Sequence, residues 1–225
     1  MNCTKGLVAL FCMVAISLTG CDFFRWASYA LTDPNEEVKA EYAGLQGRTI
    51  AVVIDVDAAI SCDHPKVRSL LSDSIYFMMH RNIKDIKTVS PVTVINYQND
   101  HPKWRDQDWT MIGEALKADY LLVISIAEYS SMGSVTGAIQ AEIIGDAQLL
   151  EMWQNQEGVV EDKVVWPKDG TPYAIEITHP KDAVYGSSGA KVMRSARLLF
   201  AQELTQKFHD YERPKDDTFM RLKNK

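Results

Sequence analysis

Arg48-Thr49-Ile50-Ala51-Val52-Val53-Ile54-Asp55 is a nearly unbroken apolar run rich in β-branched residues, of the kind a strand needs when both of its faces are covered. The chain repeats the pattern at Tyr120-Leu121-Leu122-Val123-Ile124-Ser125-Ile126-Ala127. Between them, Val67, Leu70, Leu71, Ser74, Ile75 and Met78 recur at three- and four-residue spacings and predict an amphipathic helix over 65–81, with Asp63 as N-cap and Pro65 in the first turn. A second strand is expected over 86–89, ending before Pro91, and 92–97 reads equally as strand or short helix. A helix over 108–117 then leads into the second buried strand. Strand, helix, strand, helix, strand is the order of a parallel or mixed sheet with right-handed crossovers.

After Gly137 the spacing shortens. Ala138 to Ile144, Ala147 to Trp153 and Val159 to Trp166 read as three strands, with Gly145-Asp146 and Asn155-Gln156-Glu157-Gly158 as turns. Antiparallel hairpins on the same sheet follow. The last element is a helix over 190–209, with Val192, Ala196, Leu199, Phe200, Leu204 and Phe208 on its apolar side. The expected fold is α/β (α+β), a mixed sheet of parallel strand-helix-strand units followed by antiparallel hairpins, with helices packed on it. Four segments are expected: a leader over 1–20, a tether over 21–47, one globular domain over 48–210 and a charged tail over 211–225.

With 225 residues, 46% of them apolar, the chain can bury a substantial core. Its formal charge of −6 disfavours broad attraction to phosphate backbones, so no nucleic-acid partner is expected. The first twenty residues hold a single base, Lys5, no acid, and an apolar run from Gly6 to Ile16. A helix of that run rises roughly 16 Å, well short of a hydrocarbon core of about 30 Å, so it reads as a leader's core and not as a span. The Leu18-Thr19-Gly20-Cys21 stretch behind it resembles the lipobox of bacterial lipoproteins. That resemblance implies cleavage between Gly20 and Cys21, diacylglycerol on the Cys21 sulfur and acylation (palmitate or a similar chain) of the new amino group. Two or three chains give durable anchoring where one does not. Cleavage would remove Cys3 and Cys12 and lipidation would consume Cys21, leaving Cys62 as the only free thiol.

Ile112-Gly113-Glu114-Ala115-Leu116-Lys117-Ala118-Asp119-Tyr120 resembles the helix-to-strand junction of envelope domains such as the N-terminal domain of TolB, the curli-secretion lipoprotein CsgG and the lipoprotein activators of penicillin-binding proteins. The resemblance implies a lipid-anchored protein of the cell envelope, at the inner or outer membrane, with its domain on the periplasmic or extracytoplasmic side. No specific activity transfers with it; an envelope protein partner and no cofactor are expected because the chain joins an anchor and a well-patterned fold to no convincing catalytic set. Asp55-Val56-Asp57 resembles the opening motif of haloacid-dehalogenase-type phosphatases, in which the first aspartate attacks phosphorus, the second is acid and base, and magnesium screens the phosphate. Ala59 and Leu150 depart from that pattern, and a solvated strand-end turn accounts for the same residues.

Cys62-Asp63-His64 brings together residue types that metal or nucleophile sites use, but His80, His101, His179 and His209 lack ligand spacing, and capping by Asp63 with a surface His64 is the simpler account. Gly186-Ser187-Ser188-Gly189-Ala190-Lys191 precedes the last helix, where Ser187 or Ser188 would cap it. Of the tryptophans, Trp153 and Trp166 are expected in the core or on the sheet face, and Trp104, in a polar loop, is the expected partner contact. Trp26 and Trp109 carry no assignment. The expectation is a non-catalytic lipoprotein that binds a protein partner, with a phosphatase using Asp55 and Asp57 as the alternative.

Overall fold

A computed structural model describes residues 35–133, 138–185 and 188–214. The lipobox and Trp26 lie outside them. In chain order the elements are β1 (Asn35–Val38), β2 (Thr49–Val56), α1 (Ala58–Asp63), α2 (Val67–Asn82), β3 (Lys87–Thr88) and α3 (Pro91–Asp100). A single 3-10 turn (Trp104–Asp106) precedes α4 (Trp109–Leu116), β4 (Tyr120–Gly133), β5 (Ala138–Gln154), β6 (Val160–Trp166), β7 (Tyr173–Tyr185), α5 (Gly189–Thr205) and β8 (Tyr211–Pro214). Two compact units result. β1 and β8 form an antiparallel ribbon in one, with Glu36 paired to Arg213, and Lys39–Asp210 form the other.

The larger unit is the mixed α/β sheet with helices that the sequence predicts. Its strand order is β3-β2-β4-β5-β6, with β7 also on β5. β2 is parallel to β3 and β4; the remaining pairings are antiparallel. β2 is apolar throughout because its alternate residues enter two cores. Ile50, Val52, Ile54 and Val56 pack with Leu71, Ile75, Phe200 and Leu204 of α2 and α5. Ala51 and Val53 pack on the other face with Val94, Ile112 and Leu116 of α3 and α4. The junction before β4 has its own lock: Lys117 turns the chain in the left-handed region (φ 51°), and the Asp119 carboxylate accepts the Thr49 amide at 2.7 Å. Asp119 thereby fixes the start of β4 against the start of β2.

Several elements differ from expectation. Gly145-Asp146 is no turn; β5 runs through both residues, because Gly145 lies opposite a bulge in β4 at Ile126/Glu128. Residues 92–97 are helical within α3, with Pro91 in its first turn. Asp63 ends α1 and caps nothing further on, since α2 starts after Lys66 without a side-chain cap. The stretch read as tether contributes β1 and, in the larger unit, Leu45, which is buried, and Glu41, which accepts the Trp166 indole N–H at 2.8 Å. Part of the stretch read as tail is β8.

Because β3 has only two residues, most of the outer edge of β2 would be left without partners. Side chains close it. The Val52 amide donates to the Tyr76 hydroxyl at 3.0 Å, Gln98 donates to the Ile54 carbonyl at 3.1 Å, and Arg105 to the Val56 carbonyl at 2.7 Å. Burial pushes the Tyr76 phenol up to about 12, the Val52 amide opposing and Asp73 adding to the rise. The folded value lies above the unfolded one of about 10, so the contribution of Tyr76 is complete below pH 10 and is lost as pH rises through about 12. The expected loss is about 3 kcal/mol. Urea unfolding at pH 9 and pH 12 measures it, and Tyr76→Phe should flatten that part of the profile.

Candidate functional site

β2 ends beside the middle of β4, with Asp55 opposite Ser125 and Val56 opposite Ile126, and β4 runs on to Gly133. Open α/β sheets place ligands outside the carboxyl ends of their parallel strands, as at the end of β2. Here a cleft of about 370 Å³ is lined by Asp55, Val56, Asp57, Ala58, Arg105, Ser125 and Ile126. The structure therefore brings together the two aspartates singled out in the sequence.

Both carboxylates are engaged within the fold. Asp57 caps α1 by accepting the Ile60 amide at 3.0 Å. Asp55 accepts Arg105 Nε at 2.7 Å and Nη2 at 2.5 Å, and the Asp55 hydrogen bond is the main influence raising Arg105 above its ordinary value. Arg105 also lies over the Trp104 ring, 5.1 Å from its centroid. A nucleophilic aspartate beside magnesium needs a carboxylate open to the ion. Asp55, bridged to a guanidinium that also ties down the Val56 carbonyl, does not fit such an ion. Next along the same row, burial pushes the Asp146 carboxyl up, with the Ser125 hydroxyl donating to it and opposing the rise. The arrangement is a strand-end lock.

Among the described residues one cation near it has no ion-pair partner. Arg68 of α2 is half-buried, its Nε makes no hydrogen bond among those residues, and burial pulls it below its ordinary value, the Arg105 charge reinforcing that and the Asp55 charge opposing it. Removing an unpaired, partly buried charge relieves desolvation. Arg68→Met is expected to stabilise the protein by about 1 kcal/mol, read as a raised midpoint in urea; a lowered midpoint would show that Arg68 supports the fold.

The other candidates fall apart in space or into structural roles. Cys62 is exposed, and His64 sets its ring edge against Tyr129 at a centroid distance of 4.9 Å. Among the described residues no three His, Cys, Asp or Glu side chains are placed to hold a metal ion. Gly186 and Ser187 lie outside the described residues, while Ser188 caps α5 by accepting the Lys191 amide at 3.3 Å. Trp104 is not the exposed partner contact expected; it is 2% exposed and packs in the core beside α3 and α4. Trp166 is buried as expected, and Trp153 lies on the sheet but is 45% exposed.

Sequence reasoning missed a second concavity. Between β7 and α5 runs a groove of about 460 Å³, lined by Glu176, Ile177 and Thr178 of the strand and Leu199, Gln202, Glu203 and Gln206 of the helix. Tyr173-Ala174-Ile175-Glu176-Ile177-Thr178 alternates in polarity, which is the signal that could have revealed β7.

No family model matches the chain, and no curated protein does. Among solved structures it is similar to a single-substitution variant of the PelC dodecamer from Paraburkholderia phytofirmans, at 9% identity over 79% of this chain and 99% of that one, with a TM-score of 0.43. It is also similar to lipoprotein GNA1162 from Neisseria meningitidis, at 11% identity over 70% of this chain and 99% of that one, with a TM-score of 0.42. A minor lipoprotein from Acinetobacter baumannii aligns at 9% identity over 71% and 91% of the two chains, with a TM-score of 0.30. Bacterial lipoproteins are thus among its structural neighbours, and no activity is carried over from them.

Proposed function

We propose that the chain is a lipoprotein of the bacterial cell envelope, held to a membrane by acylated Cys21, whose α/β unit is a non-catalytic module that binds or helps assemble another envelope protein. The observation that carries this is Leu18-Thr19-Gly20-Cys21 behind a short apolar run with one preceding base. None of the helices in the described residues is long and apolar enough to cross a membrane, so attachment rests on the lipid in this reading. The engagement of Asp55 by Arg105 and of Asp57 by the Ile60 amide supports a binding module over a phosphatase.

Intact mass and labelling with a palmitate analogue test the anchor. The expected product begins at Cys21 and carries fatty acid, and Cys21→Ala retains residues 1–20 and takes no label. An unacylated N-terminus on the wild-type chain, or label that survives Cys21→Ala, overturns it. Crosslinking in intact cells tests the partner, and failure to enrich any envelope protein would count against the binding role.

A further inference from the structure

The two edges of the sheet are finished differently. Side chains of Tyr76, Gln98 and Arg105 close the edge of β2, whereas the opposite edge consists of β6 and β7 laid along β5. Over 173–179, the main-chain groups of β7 that face away from β5 have no hydrogen-bond partner among the described residues. An edge of this kind is a template for another strand.

The surroundings of this edge select what such a strand would carry. On one face, the groove beside β7 offers half-buried Ile177 and Leu199, which is 38% exposed, flanked by Gln202 and Gln206. On the other face, the register sets Glu176 and Glu128 on either side of Ile144, and Glu142 beside Thr178. Glu128, Glu142 and Glu176 therefore share one sheet face, and none has an ion pair or hydrogen bond among the described residues. α5 packs on the opposite face, with Ile143 and Ile175.

We propose that the β7 edge receives an extended segment of a partner protein as an added strand, apolar on the side facing α5 and bearing Lys or Arg on the side facing Glu176. Seven residues, 173–179, span about 23 Å, which sets the length of the segment at about seven residues. Main-chain hydrogen bonds would supply affinity and the alternate side chains selectivity. A second copy of β7 is a poor occupant, because it would bring carboxylates against carboxylates. The inference rests on the protein-binding reading and names the surface used; it needs no acyl chain, so the Cys21→Ala chain serves equally and a failed anchor would leave the result intact.

The test uses the full chain in detergent and an eight-residue peptide of alternating valine and lysine. Saturable binding is expected, with slowed amide exchange confined to 173–179 and its neighbours. The valine–glutamate peptide should bind at least about twofold more weakly, as expected when the one direct cross-strand charge pair, at Glu176, changes from attractive to repulsive. Glu176→Lys, on an exposed position, should reverse that preference. Backbone N-methylation of the lysine peptide should abolish binding. Retained binding of the N-methylated peptide would show mere ionic adhesion and overturn the proposal. So would a Glu176→Lys protein with unchanged preference, no binding of the lysine peptide, or self-association that protects β7 without any peptide.

Discussion

Phe200→Ala should lower the unfolding free energy by about 3–5 kcal/mol, a large share of the roughly 5–15 kcal/mol that holds a domain folded. Phe200 is fully buried on the face of α5 that sits over β5 and β7 and against α2. Of its core neighbours one turn away on the helix, Ala196 is too short to fill the space of a removed ring, and Leu204 is itself fully packed in the core. The lost transfer free energy and the cavity therefore add. Leu199→Ala on the same helix is the control: at 38% exposure it should cost about 1 kcal/mol or less. Urea midpoints at unchanged slope decide the matter, and equal losses for the two variants would mean that α5 faces the other way.

The parts of this fold that were legible are those whose burial is written into consecutive residues. β2 and β4 show as apolar runs because each serves two cores, and α2 shows through Val67, Leu71 and Ile75 of its stripe because it serves one, although Leu70, read into the same stripe, is exposed and Met79, left out of it, is buried. Elements that depend on distant partners left weaker marks. β1 and β8 are short and charged, and only their juxtaposition, with Glu36 meeting Arg213 across 177 residues, makes them strands. α1 could have been found, since Asp57 followed by Ala58, Ala59 and Ile60 is a capped start, but the same aspartate also suggested catalysis. Trp104 looked exposed because His101, Lys103 and Arg105 surround it in sequence, and a lone aromatic in a polar run has no period to show that it is buried.

The candidate site was half legible for a similar reason. Asp55 and Asp57 were visible as a pair at a strand end, whereas what neutralises the first of them stands 50 residues later, on a 3-10 turn with no pattern of its own. Gln98 and Tyr76 likewise act on β2 from 44 and 24 residues away. Their roles follow from the shortness of β3, which no local rule specifies.

Gly145→Val should be the most damaging single change in the sheet, because the residue is required by a close approach and not by a turn. A side-chain carbon at this position would lie 2.5 Å from the Ser125 carbonyl oxygen and 3.0 Å from the Ile126 side chain. The oxygen belongs to the backbone of β4, so it cannot rotate away; the strands must part. They meet here beside the bulge at Ile126/Glu128 in the antiparallel pairing of β4 with β5, and β5 in turn carries both β6 and β7. Alanine introduces the clash, and overpacking of this kind costs about 1–3 kcal/mol. Valine adds two methyl groups on the same carbon, so its cost should exceed that of alanine by at least about 1 kcal/mol. Amide exchange locates the damage: protection should fall first over 141–147 and in the facing part of β4, while α2 and the start of β2 keep theirs until global unfolding. A valine variant that keeps the wild-type urea midpoint would mean that β4 and β5 are paired in another register, and with it the placing of Asp146 beside Ser125 and of Glu128 near Glu176 would fall.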